Sequence, residues 1–453
     1  MPTREVDVLV IGAGMSGLAC AQRLAEQSAD FFVLEAADRV GGRVSSNYAI
    51  AHGPPVETGA LMIHGKHVIT HTWAADLGVA VRRLPMVERT VLLRDRRPAR
   101  FPWMALPFHP VFGVRAAYQF RFGVPRQMRE LRDPDRSLAE FLDRSGTVPG
   151  ARSLSIFLHA HINSADPEEI GARSTGREEA LSEEGWRDHF QLLDGYSELA
   201  RRRAAPFGDR VRLSTRVTEI RWSGEGVRIE ARQGGEETEF RARAAVITLP
   251  LGVLKDGTVA FDPALPDEKL RAIRRIGYGA VMETILRLEG GNLVERLGPF
   301  AMLWGNTATS FDRPFVGLSS RPEVISAFTA GREAVRRARL DDAAVVEAAV
   351  AELESILPSG CRVGTVVDSA IQRWPANPWI RGGYSFLPPG VGTEERHILA
   401  APVEGRLFFA GEATHYEGEP ATVHGAIETG YRAAREVLRA LTPDSTAPAG
   451  GLQ

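Results

Sequence analysis

Lysine is almost absent from this 453-residue chain: of 55 basic residues only Lys66, Lys255 and Lys269 are lysines. Acids balance the arginines to a net charge of −2. Such a chain exerts no overall pull on nucleic acid, and clusters such as Arg201–Arg203 and Arg336–Arg339 read as solvated helix faces. Cysteine is equally scarce, with only Cys20 and Cys361, so no disulfide framework or metal centre is expected. No apolar run reaches the roughly 18 residues that argue for a membrane-spanning helix. The first strand-like run begins at about Val6, which predicts no signal peptide. These absences together predict a reduced, cytoplasmic setting. The length predicts two or three domains.

What is present concentrates first in Val6–Gly42. Val6 to Ile11 is apolar, the pattern of a strand buried on both faces. Gly12, Gly14 and Gly17 follow at G-x-G-x-x-G spacing, and Leu18, Ala21, Leu24 and Ala25 recur at helical spacing. Phe31 to Leu34 reads as a second strand closed by Glu35. Gly12 permits the tight turn, Gly14 admits a pyrophosphate to the backbone, and Gly17 lets helix and strand pack closely. The helix start offers free N–H groups and a positive dipole end to the phosphates. Glu35 stands where a carboxylate accepts ribose hydroxyls, which disfavours a 2′-phosphate and leaves NAD or FAD.

The continuation, Glu35 through Arg43 as EAADRVGGR, resembles the FAD-binding start of the flavin amine oxidase superfamily. Four further blocks resemble that family in its order. Glu57 to Gly65 (ETGALMIHG) is similar to a polyamine oxidase element, with Met62 where tryptophan is usual. Asp194 to Leu199 (DGYSEL) resembles its return to the nucleotide domain, Val211 to Ile220 alternates as a strand of that domain, and Ala244 to Lys255 resembles the junction where the chain leaves it. Trp374 to Gly390 resembles W-x-x-x-P-x-x-x-G-x-Y-S, and FFAGEAT with ATVHGAIETGYRAA resembles its last block. From about Ile285 to Pro358 the resemblance weakens.

The resemblance implies an α/β (α+β) fold: a discontinuous Rossmann-type FAD-binding domain from 1–70, 194–270 and 395–441. It implies a substrate domain of mixed sheet and helices from 71–193 and 271–394, leaving 442–453 as a flexible tail. Arg43, Gly59, Ala60, Val217, Glu412, Thr422 and Val423 are implied to join Gly12, Gly14, Gly17 and Glu35 around FAD. Gly59 and Ala60 are expected under the flavin ring, Val217 at the adenine and Glu412 near the ribityl-pyrophosphate. Thr422 and Val423 are expected to aim a helix start at the flavin's pyrimidine end.

The implied reaction takes a hydride equivalent from the carbon beside an amine nitrogen, with the imine then hydrolysed and the flavin reoxidised by oxygen or another acceptor. Trp374 and Tyr384 match the aromatic wall that excludes water, and core packing is the alternative for each. His64 is either near the substrate channel or a structural histidine. Glu283 aligns where relatives carry a lysine beside the flavin. A carboxyl there is expected to pair with a cationic substrate, to stay protonated through burial, or to point away. Its presence keeps open a dehydrogenase or desaturase acting on a non-amine substrate. Thr422 stands where some polyamine oxidases have a second aromatic, which predicts a one-sided cage. The expected partner is a small molecule, an amine, acting on a monomer or homodimer without nucleic acid.

Elsewhere, Thr72–Val81, Ser137–Arg144, Ile156–Ile162 and Asp341–Leu357 are expected to be helical. Asp166–Trp186 is acidic and predicted to be an exposed loop or helix. Phe101–Phe122 is rich in aromatics and reads as substrate-domain packing, with a membrane contact or tunnel lining as alternatives.

Overall fold

A computed structural model describes residues 5–442 except 51–53, 87, 95, 101–112, 133, 183–187, 306 and 314–322. Phe101, Trp103, Phe108, Phe112, the end of Asp166–Trp186 and the tail from 443 lie outside the described residues.

The strand Glu5–Ile11 lies inside an eight-stranded sheet. It pairs in parallel with Phe31–Leu34 on one side and Glu236–Ile247 on the other. Val8, Leu9 and Val10 are fully buried, each contributing about 1.5–3 kcal/mol relative to exposure. Glu236–Ile247 also pairs in parallel with Leu407–Phe409 and antiparallel with Gly226–Gln233, which continues to Thr215–Ser223. This sheet therefore draws strands from the start, middle and end of the chain. The helix Met15–Glu26 lies against Val423–Leu441 so closely that a Cβ on Gly430 would stand 2.1 Å from the Ser16 carbonyl oxygen.

A seven-stranded sheet runs Thr365–Arg373, Val281–Glu289, Glu323–Ala330, Thr309–Asp312, Met302–Trp304, Thr90–Arg94 and Arg97–Arg100. Helix Asp342–Ile356 packs Ala349, Leu353 and Ile356 into the same apolar cluster as Leu286, Leu288 and Ile325. Its N-cap Asp341 accepts from the Ala344 N–H at 2.8 Å, which satisfies a first-turn donor.

Several elements depart from the sequence expectations. The helix expected at Thr72–Val81 spans Ile69–Asp76, because Gly78 takes φ +64° and turns the chain into the strand Val81–Leu84. Val211–Ile220 is not one strand. Val211–Arg212 pairs with Phe31–Leu34, Ser214 takes φ +51°, and Thr215–Ser223 begins a separate strand. Within the acidic stretch, helix Ala172–Leu181 is packed rather than exposed along its first half: Gly176 lies against Met128, and Ser174 donates to the Val391 carbonyl at 2.6 Å. Ser137 caps the helix Leu138–Arg144, and a π-helical turn, Phe157–His161, extends Pro149–Ile156. No helix among the described residues is long and apolar enough to cross a membrane.

Candidate active site

Between the two large sheets runs a cavity of about 1420 Å³. Ordinary ligand pockets hold roughly 300–1,000 Å³, so this one has room for a dinucleotide and a substrate together.

One end is the glycine turn. Gly12 takes φ +110°, and a Cβ on Gly17 would stand 1.9 Å from the Gly12 carbonyl oxygen. Gly17 thus acts behind the wall, by close packing, while Gly12 and Gly14 line the cavity. Among the described residues, a Cβ on Gly14 would meet nothing within 4 Å, and no side chain caps the helix start there. An open backbone at an uncapped helix start fits a pyrophosphate. Glu35 lines the same end, held by the N–H groups of Ala13 at 2.7 Å and Ala37 at 2.9 Å. Burial pushes its carboxyl above the usual range, opposed by those N–H groups and Arg39. Val217 lines this end from beside a bulge in its strand.

Arg43 and Glu412 meet midway. Arg43 Nη1 lies 2.7 Å from Glu412 Oε1 and donates to the Gly383 carbonyl at 2.9 Å. Glu412 Oε2 accepts from Ser385 Oγ at 2.6 Å and the Ala421 N–H at 3.1 Å. Burial disfavours the Glu412 carboxylate, but Arg43, Ser385 and Arg396 outweigh it and hold its pKa below the usual range. Arg396, fully buried, donates to Ser385 Oγ at 2.7 Å and pairs with Glu178. Gly59 and Ala60 line the adjacent wall, where a Cβ on Gly59 would stand 2.1 Å from the Arg43 carbonyl oxygen. Thr422 caps the helix Val423–Leu441 by accepting from the Gly425 N–H at 3.0 Å, and both Thr422 and Val423 line the cavity. Every sequence-derived cofactor residue except Gly17 therefore borders one cavity.

The far end carries the aromatic wall. Trp374 and Tyr384 cluster with Val281, Ile380 and Phe328. Trp374 Nε1 donates to the Thr58 carbonyl at 3.0 Å, and the Tyr384 hydroxyl donates to the Ile162 carbonyl, so both rings are tethered. His64 borders the cavity with its Nδ1 3.0 Å from His189 Nδ1. Burial, then His189 and His424, hold its pKa well below the ordinary value, so it is neutral.

Glu283 is the exception among the candidate catalytic residues. It is 0% exposed and does not line the cavity; its Oε2 accepts from Ser326 Oγ at 2.6 Å. Direct contact with substrate or flavin is thereby corrected in favour of the buried, protonated alternative: burial pushes its carboxyl well up, opposed by Ser326 and reinforced by Asp312. Asp312 does line the cavity, and burial pushes it to about 7 against a hydrogen bond from Ser310. The sequence reading missed Asp312, Ser385, Arg396 and His189. Thr309–Asp312 (TSFD) carries no alternation that would mark its inward face, which is set by its pairing in the sheet.

A glycine-turn groove opening onto a tethered aromatic wall fits an oxidoreductase that takes a dinucleotide. The family profile described as flavin containing amine oxidoreductase matches residues 15–438, and the chain belongs to that family; its cofactor is FAD. The chain is 30% identical to Polyamine oxidase 2 of Arabidopsis thaliana, over 96% of its own length and 89% of that protein. It is also 30% identical to Lysine-specific histone demethylase 1 homolog 2 of Oryza sativa subsp. japonica, spanning 96% of itself but only 57% of that relative. In fold it is similar to putrescine oxidase bound to putrescine (TM-score 0.82, 20% identity, 97% of this chain and 100% of that one). Cyclohexylamine oxidase from Brevibacterium oxydans superposes likewise (TM-score 0.80, 22% identity, 96% and 99%).

Proposed function

We propose that the chain oxidises a C–N bond of a mono- or polyamine-like amine. The observation that carries this reading is one cavity joining the glycine turn to the Trp374–Tyr384 wall, with the Asp312 carboxylate in its lining. Bound FAD supplies the hydride acceptor for the carbon beside the nitrogen. Gly12, Gly14, Glu35 and Val217 would hold its nucleotide half, and Arg43, Glu412 and the Thr422–Val423 helix start its flavin half.

Trp374 and Tyr384 exclude water, and in that apolar setting an amine is favoured in its neutral, reactive form. Asp312 supplies an acceptor for a cationic end of the substrate. Glu283, behind the wall and neutral, puts no charge at the reacting centre. A second reading, a dehydrogenase or desaturase of a non-amine substrate using an acceptor other than oxygen, is favoured by that missing cation. Free Cys20 and Cys361 support a reduced, cytoplasmic setting.

Anaerobic mixing of the holoenzyme with a panel of amines, followed at the flavin absorption band, tests the assignment. Amine-dependent bleaching is expected. Bleaching only by other compounds supports the second reading, and no bleaching by anything overturns both.

A further inference from the structure

Residues 113–130 form one helical rod: Gly113–Tyr118, a π-helical turn Gln119–Gly123, and Val124–Glu130. Its inner face buries Ala116, Phe120, Val124 and Met128. Its outer face carries the three most exposed large apolar side chains of the described residues, Val114 at 67%, Tyr118 at 63% and Phe122 at 58%. They stand at i, i+4 and i+8, so they form one stripe. The Tyr118 and Phe122 rings are 5.9 Å apart, and Arg121 lies 5.1 Å over Phe122.

Arginine surrounds that stripe. Residues 113–132 hold five arginines and one glutamate, and residues 94–132 hold nine arginines and two acids, within a chain of net charge −2. Arg115, Arg121, Arg126, Arg129 and Arg132 are all exposed. An arginine bias spread evenly over the chain would not leave the acids out of one stretch. Amphipathic helices that lie in a bilayer interface combine aromatic side chains with a cationic flank. Guanidinium groups pair with phosphate, and an anionic leaflet attracts each of them.

We propose that the outer face of helix 113–130 docks on an anionic lipid bilayer, with Tyr118 and Phe122 in the headgroup region and the arginines on lipid phosphates. The aromatic stripe with arginines beside it matches an anionic lipid surface, whose headgroup region takes the rings while its phosphates take the guanidinium groups. Phe120, Arg121 and Pro125 of the same rod line the cavity, so docking sets one cavity wall at the bilayer.

The test is co-sedimentation of FAD-loaded enzyme with vesicles of phosphatidylcholine containing about one-third phosphatidylglycerol, against phosphatidylcholine alone. Binding to the anionic vesicles only, weakened by high salt, is expected. Tyr118→Ser with Phe122→Ser is expected to lower the partition coefficient by about tenfold or more. Arg115→Gln with Arg129→Gln is expected to lower it by about fivefold per residue. Unchanged flavin absorbance and thermal unfolding show that each variant is folded. Absence of binding to anionic vesicles, equal binding to neutral ones, or binding that both double variants retain overturns the proposal. So does binding to a single-stranded oligonucleotide, but not to vesicles, that disappears in the same variants.

Discussion

Glu283 and Ser326 sit on neighbouring strands of the seven-stranded sheet, with Glu283 Oε2 accepting from Ser326 Oγ at 2.6 Å. Asp312 lies directly opposite Ser326 on the next strand. The three side chains join a sealed carboxyl to one that borders the cavity. Among the described residues, each carboxyl keeps one buried oxygen without a hydrogen-bond partner, Glu283 Oε1 and Asp312 Oδ1.

The pair predicts a division of labour. Glu283→Gln is isosteric and leaves the cavity lining intact, so amine-driven flavin reduction should stay within about twofold of wild type. Stopped-flow reduction checks this; a collapse of the rate would show that Glu283 reaches the reacting centre.

Asp312→Asn should raise KM for diamines by about tenfold or more, the worth of a charge-assisted hydrogen bond, and affect monoamines less. Its pH dependence has a definite sign. With the carboxyl pushed to about 7, diamine kcat/KM in wild type should rise with pH through that region as the carboxylate forms. The variant should lose that rise, which a pH profile with both substrate types measures.

Tyr384 is tethered through its hydroxyl to the Ile162 carbonyl and faces the cavity. Tyr384→Ala should slow flavin reduction, because removing the ring opens to water the wall that keeps the amine neutral. FAD retention should be unchanged. Equal loss of both, by stopped-flow and flavin release, would assign the ring to packing.

Arg396 acts on the flavin side through other residues. It holds Ser385 Oγ and the Ala413 carbonyl, and Ser385 in turn holds Glu412. Breaking its buried pair with Glu178 leaves an uncompensated charge, a loss of about 3–5 kcal/mol. Arg396→Met should lower the unfolding temperature and weaken FAD affinity, whereas Glu178→Gln, which leaves the fully buried Arg396 charge without its carboxylate but keeps Ser385 held, should lower the unfolding temperature and spare FAD affinity. Thermal unfolding with flavin-release titration separates the two.

Glu57 predicts a stability slope. It is buried, accepts from Ser46 Oγ at 2.7 Å and the Tyr196 N–H at 2.9 Å, and burial lifts its pKa from 4.5 to about 8. A carboxyl whose folded pKa is raised contributes stability fully present below the unfolded value, and that stability is lost as pH rises toward the folded one. Wild type should therefore lose stability between about pH 4.5 and 8 relative to Glu57→Gln. Parallel denaturant titrations across that window measure the difference.

The sequence by itself determined the features that need only near neighbours. The strand, glycine turn, helix and acid of Val6–Glu35 lie within one stretch, and their spacing carries the chemistry. The helix starting at Ser137 is legible for the same reason, and in the structure Ser137 accepts from the Glu140 N–H three residues on. The end of the helix at Asp76 and the break at Ser214 were less legible, because single residues at positive φ decided them.

Only the tertiary structure decided which charges face the cavity. Arg43 meets Glu412 across 369 positions, and Trp374 meets the Thr58 carbonyl across 316. Asp312 and Glu283 look alike as acids in apolar strands, yet one borders the cavity and the other is sealed beneath Ser326. That difference belongs to strand order and register, which bring distant segments onto one sheet face and which local periodicity does not encode.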